Sequence, residues 1–150
     1  RVQSAAICLL LAFALLPQQA PCQDPGAART YLVKLSTPVS TSKSKPGDRI
    51  RAAIISPESL LNGYLEGVVE QATSKPAPKL VLRFNSVLFK GKSTPIESEV
   101  VDFVNSKGHK SVDDDERPIQ LKEGAFSSAA EDLWLDEGSE LRVRAAPSQR

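Results

Sequence analysis

The sequence predicts an all-β domain, a small closed or nearly closed barrel or sandwich of seven or eight short strands, and three observations predict it. Apolar and polar residues alternate with a period of two along several stretches, the longest running from Lys79 to Val104. Turn residues separate these stretches, at Pro46-Gly47, Gly63, Lys90-Gly91-Lys92 and Glu137-Gly138. The first and last strand candidates echo each other: Thr30, Leu32 and Pro38 match Ser139, Leu141 and Pro147 at a constant offset. Pairing of those two strands would close a barrel and remove its exposed edges.

The chain divides at its N-terminus into a leader, residues 1–22, and a linker, residues 23–29. Arg1 supplies a charged start, and Ala5 to Leu16 is an apolar run about twelve residues long, the length of a signal-peptide core and too short for a bilayer span. The chain opens on Arg1 rather than a methionine, so a few leading residues are expected to be missing. Pro17 ends the run, and Ala20-Pro21-Cys22 places small residues before a cleavage point at Gln23, with Ala27 or Ala28 as the alternative point. A secreted or periplasmic protein is therefore expected. Lipid anchoring through Cys22 is the lesser alternative, because Pro21 precedes it and Gln19 stands where an aliphatic residue is usual. Cys8 lies inside the leader, so the mature domain must be held by its core rather than by a disulfide.

Removing the leader leaves about 120 residues, enough for one core and one β domain, assigned to residues 30–146 with a tail at 147–150. The formal net charge is +1 and the Lys and Arg residues are scattered, so nothing asks for a nucleic-acid partner. No second apolar run approaches bilayer length, and no transmembrane span is expected in the mature chain.

Taken in order, Tyr31, Val33 and Leu35 mark the buried face of the first strand. Thr37 to Gly47 is rich in Ser, Thr, Lys and Pro; it reads as an exposed connection, with a basic, hydroxyl-rich docking surface as the functional alternative. Asp48 to Ile55 is a second strand, with Ile50, Ala52 and Ile54 inward. Ser56-Pro57-Glu58 fits an N-cap and a first helical turn, which Gly63 stops. Tyr64 to Ala72 is a third strand, in which Gly67 signals a bulge or the close approach of another backbone. In the central hairpin Leu80, Leu82, Phe84 and Leu88 share one face; beyond the turn Ile96 and Val100 share a face while Val101 and Phe103 take the other. One extra residue reconciles them, so a bulge is predicted at Val100-Val101. Ile119 to Lys122 is a short strand, Ala125 to Asp132 a helical turn or a loop, and Leu141 with Val143 marks a last strand before a polar tail beginning at Ala145. The expected core is Val33, Ile50, Ile54, Leu65, Val69, Leu82, Phe84, Ile96 and Val143.

Chemistry is crowded only in Asn105 to Pro118, which holds His109 and the acids Asp113, Asp114, Asp115 and Glu116. Four adjacent acids are the weak metal candidates, since Ca²⁺ takes six to eight oxygen ligands from flexible loops. The EF-hand spacing is absent, because no Gly follows directly after the acids and no Glu closes the loop at the right distance, so a solvated acidic turn is the simpler reading. His109, Asp113 and Ser106 or Ser111 are the residue types of a hydrolase triad, yet no Gly-x-Ser-x-Gly elbow accompanies them. Trp134 stands between Leu133 and Leu135; with both leucines inward its indole faces outward as a partner-binding anchor, while the alternative buries the indole at one end of the core.

The order LVKLSTPVST, PGDRIRAAII, LLNGYLEGVVEQA, KLVLRFNSVLFKGKSTPI resembles the β-barrel domain of the TrbI-like component of conjugal-transfer and type IV secretion machines. It is also similar to small exported proteins of soil bacteria that end in an EGSELRVR-type strand. The resemblance covers roughly residues 30 to 100 and is carried by Gly47, Gly63, Gly67, Phe84 and Ile96. It implies the barrel alone, without the membrane helix, proline-rich stalk or channel-forming insertion found in that family. The expectation is a non-enzymatic binding or assembly module of the bacterial cell envelope, with other envelope proteins as partners and no cofactor. The alternative is a metal-dependent or hydrolytic enzyme using the acidic loop and His109.

Overall fold

A computed structural model of the chain describes residues 27–112 and 116–149. The expected leader, its cleavage before Gln23 and the lipidation of Cys22 lie outside these residues. Ten strands are present among those described: β1 (Arg29–Leu35), β2 (Val39–Ser40), β3 (Arg49–Ser56), β4 (Tyr64–Thr73), β5 (Lys79–Phe89), β6 (Lys92–Val104), β7 (Gln120–Lys122), β8 (Ala125–Ser127), β9 (Trp134–Leu135) and β10 (Glu140–Pro147). Six of them form an antiparallel sheet in the order β4-β3-β1-β10-β6-β5, and β5 pairs back onto β4, so the sheet closes into a barrel. The fold is the all-β barrel predicted. The strands beyond the seven or eight expected are pieces of two or three residues.

Closure depends on β1 and β10, which pair antiparallel from Arg29 against Ala145 to Lys34 against Glu140. Closure removes the edges of β1 and β10, and β7, paired only with β8, is left as the terminal strand of the sheet. Period-two alternation fills the interior, and all nine residues expected in the core are buried there. Outside the barrel Arg51 pairs with Glu66 directly across the β3–β4 ladder, and Arg83 with Glu70. These half-exposed pairs contribute about 0–1 kcal/mol each, so the core carries the stability.

Lys90 (φ 49°) and Gly91 (φ 75°) make a two-residue turn with both residues left-handed, the geometry that matches strand twist in a hairpin. The bulge predicted at Val100-Val101 is present: Arg142 faces Asp102 while Val143 faces Val100, which leaves Val101 unpaired. Val101 is pushed into solvent and Phe103 returns to the core. A second irregularity falls where Gly67 signals a bulge or a close approach, and the extra residue is on the partner strand. Glu66 faces Ser86 but Gly67 faces Phe84, so Asn85 is an extra residue and the burial phase of β5 flips beyond it. Val87 is consequently buried and Leu88, expected on the core face with Phe84, is only half-buried.

At this bulge the backbones of β4 and β5 almost touch. A Cβ on Gly67 would lie 2.1 Å from the Arg83 carbonyl oxygen and 2.6 Å from the Phe84 Cα, so only glycine fits. On the other side of Phe84, β5 and β6 part company, since their ladder covers only Ser86–Phe89 against Lys92–Pro95. The buried Ser98 hydroxyl takes over the missing ladder bonds: it donates to the Phe84 carbonyl at 2.6 Å and accepts the Phe84 N–H at 3.0 Å. β8 enters the opening and pairs with Lys79–Val81 of β5. Phe126 fills the gap, packing edge-on against Phe103 with ring centroids 5.1 Å apart.

Three local expectations are corrected. The segment Ala125 to Asp132 begins as strand β8, because burying Phe126 in the opening demands an extended chain. Ser56 is the last residue of β3; Pro57 is the N-cap of the single 3-10 turn Glu58–Leu60 and no side chain caps it. The chain from Ala145 is not a tail: Ala145, Ala146 and Pro147 continue β10 against Ser98, Glu97 and Ile96.

Truncating Phe84 to Ala should cost about 3–5 kcal/mol, by lost burial and the cavity left behind. Ser98→Ala should cost about 1–3 kcal/mol, since it strands a buried N–H and carbonyl. Urea unfolding followed by circular dichroism measures both, and a Ser98→Ala variant as stable as the parent would show that water replaces the hydroxyl.

Candidate functional site

Beyond Val104 the chain folds back on Asn105. Its Oδ1 accepts the N–H groups of Lys107 (3.1 Å) and His109 (2.7 Å), its Nδ2 donates to the Ser111 carbonyl (3.2 Å), and its own carbonyl accepts the Gly108 N–H (2.9 Å). An Asn side chain that mimics a backbone turn, with Gly108 at φ 79° to complete it, fixes a compact loop. Beyond it, the Val112 N–H meets the Arg117 carbonyl and the Ile119 N–H the Lys110 carbonyl. Buried Val112 and Ile119 anchor this segment to the core. Lys110 clamps its foot, pairing with Asp102 and lying 5.4 Å over the Phe103 ring. That ammonium's hydrogen bond, against the opposing effect of burial, holds the Asp102 carboxyl below the usual carboxylate range.

The facing wall is β9. Leu133 and Leu135 are fully buried, and the alternation leaves Trp134 36% exposed. The outward-facing alternative for the indole is the one observed. Between Trp134 and the Asn105 loop lies a cavity of about 440 Å³, to which Lys107, His109, Glu116 and Asp136 also contribute. Ser106 Oγ points to Asp136 at 3.4 Å, a long contact.

The structure thus brings Trp134, His109 and Glu116 onto one groove. Asp113, Asp114 and Asp115 lie outside the described residues, and Glu116 is exposed with φ 53°. Among the described residues no cluster of three or more His, Cys, Asp or Glu is disposed to hold a metal ion. Neither Ser106 nor Ser111 hydrogen-bonds the His109 ring among the described residues; Ser106 turns to Asp136 and Ser111 lends its carbonyl to Asn105. No family model matches the chain, nor does any curated protein or solved structure. The chemistry of the groove is therefore that of its own side chains: two cationic or basic groups, two carboxylates and one large amphipathic ring. Asn105, Lys107 and Asp136 were missed as groove residues, although the Asn-x-x-Gly spacing from Asn105 to Gly108 signals the turn that builds it.

The hydroxyl-rich loop expected to be an exposed connection is partly buried. Val39, Ser40 and Thr41 are inside, and Val39–Ser40 pairs with β9. Its hydroxyls are held by Asp132: Thr41 Oγ1 donates to Oδ1 at 2.6 Å, Ser42 Oγ to Oδ2 at 2.7 Å, and the Ser42 N–H to Oδ1 at 3.0 Å. Thr41 Oγ1 in turn accepts the Leu133 N–H at 3.0 Å, next to Trp134. This lock positions the tryptophan wall. Burial pushes the Asp132 carboxyl up, but the two hydroxyls and the N–H groups of Ser42 and Leu133 outweigh it and hold the group below its ordinary range.

A carboxyl lowered on folding stabilises the native state above its unfolded value, about pH 4, and that contribution is lost as pH falls through the lower native value. Asp132→Asn should therefore be less stable at neutral pH and show a shallower loss of stability on acidification. Urea midpoints measured from neutrality down to about pH 2 test this, and an unchanged acid limb would remove the lock from the account.

Proposed function

We infer that the chain is an exported, non-enzymatic binding or assembly module of the bacterial cell envelope that engages another envelope protein through Trp134 and the groove beside it. The observation that carries this reading is the placement of the indole. It is the largest apolar group turned outward at the groove, between two fully buried leucines on a strand tied down by the Asp132 lock. A rigidly mounted, half-exposed tryptophan beside hydrogen-bonding groups of both signs has the make-up of a binding hot spot. The leader-like run at Ala5 to Leu16 supports a secreted or periplasmic location. The resemblance to the secretion-machine barrel supports the assembly role, and two of its residues, Gly67 and Phe84, form the crossing that shapes the barrel.

The convergence of His109 and Glu116 on the same groove favours a second reading, a hydrolytic or metal-dependent enzyme. The two readings separate on one pair of variants. Trp134→Ala should keep the parent's melting temperature and weaken partner capture from an envelope fraction by about 2 kcal/mol or more. Trp134 is the sole tryptophan, so intrinsic fluorescence reports occupancy of the groove directly. Retention of every partner by Trp134→Ala, together with a measurable turnover lost in His109→Ala, would replace the module with the enzyme.

A further inference from the structure

The opposite end of the barrel is built from different chemistry. β6 and β10 each span the molecule: Val104 and Glu140 lead toward the Trp134 groove, whereas Lys92 and Pro147 lie at the far mouth. A cavity of about 350 Å³ opens at that mouth. Its floor is made by Tyr31, Val87 and Ile96, the outermost layer of the core, with Leu60 and Phe89 beside them. The space exists because β10 changes size along its inward face. Leu141 and Val143 fill the barrel interior, but the next inward position is Ala145, followed by Ala146 at the edge.

Among the described residues, the charged side chains that line the rim are cationic. Lys92 and Thr94 of β6 and Arg29 of β1 border the opening, and no carboxylate lines it among the described residues. The other groove, by contrast, carries Glu116 and Asp136. Beside the mouth, Leu61 is 49% exposed, and the Lys90 ammonium lies 5.2 Å over the Phe89 ring. An apolar recess of this size with a cationic and hydroxyl-bearing rim is complementary to a molecule with a hydrocarbon tail and a single negative head.

We propose that this mouth is a binding site for a small anionic amphiphile, a medium-chain fatty carboxylate whose tail enters beside Ala145 and Ala146 and whose head meets Lys92 and Thr94. Desolvation of the tail drives binding, and Lys92 fixes the direction of entry by keeping the carboxylate at the wet rim. The site does not depend on the Trp134 groove.

Titration of the full chain with hexanoate, octanoate and decanoate below micelle formation, followed by calorimetry and by methyl NMR shifts at Val87 and Ile96, tests it. Affinity should rise on the order of fourfold per added methylene until the recess is full. Decanoate should bind at least about tenfold more tightly than decylammonium. Ala146→Leu, on a half-buried position, should weaken decanoate at least about tenfold while the melting temperature holds. Lys92→Glu should weaken decanoate and strengthen decylammonium. Non-saturable binding, insensitivity to Ala146→Leu, or equal affinity for the two head groups would overturn the proposal. So would binding to vesicles of anionic phospholipid without binding of monomeric decanoate, which would assign the mouth to a bilayer surface.

Discussion

The barrel is pinned at the backbone of Phe84. β5 must pair with β4 along its whole length while it serves β6 with its last residues and β8 with its first. The hand-over occurs at Asn85 and Phe84, and it needs both flanking devices at once. Gly67 admits the close approach on one side, and the Ser98 hydroxyl satisfies the abandoned peptide on the other. A buried peptide with neither partner would cost about 1–3 kcal/mol for each unmet group, a large share of a small domain's stability. Because β5 and β6 separate there, an opening exists for Phe126. The excursion that leaves β6 at Val104 must therefore return to the barrel as β7 and β8, and that return path carries the groove.

Most of the barrel was legible because its strands obey a local rule. β1, β3 and β10 alternate cleanly, and the change of phase at Val100-Val101 was visible as two apolar residues in succession. The bulge at Asn85 left its mark only on the partner strand, at Gly67, and none on β5 itself. Asn85-Ser86 reads as ordinary polar residues, and the flip is imposed by the β4 partner, where Gly67 meets Phe84, 17 positions further along the chain. The hydroxyl loop failed for a related reason. Ser and Thr read as solvent-facing until a distant carboxylate satisfies them, and Asp132 lies about ninety residues away in sequence. Nothing within Thr37 to Gly47 announces that partner.

The site divides along the same line. The Leu-Trp-Leu alternation leaves two directions open for Trp134, and burial of both leucines selects the outward one. Its neighbours do not follow locally, because Asp136 reaches Ser106 only through the β6–β10 ladder, which sets the end of one strand beside the start of the other. The acidic run drew attention by composition alone; Glu116 is the member placed at the groove among the described residues, held there by the pairing of Val112 with Arg117 and by the burial of Val112 and Ile119.

The two ends of the barrel are chemically unlike and physically insulated. Leu65, Val69, Phe84, Leu141 and Val143 are fully buried between them, so the interior is a packed core rather than a channel. An amphiphile in the mouth and a partner on the tryptophan face therefore meet only through the strands they share, β6 and β10. Of these, β10 is laddered on both sides over most of its length, by β1 and β6, whereas β6 pairs with β10 from Ile96 to Val104 and with β5 only from Lys92 to Pro95. Coupling between the ends would require a register shift past the Val101 bulge, which would turn Phe103 out of its contact with Phe126. The packed barrel thus favours two independent binding events on one rigid body, with its specificity written in the loops and strand ends rather than in a conformational change.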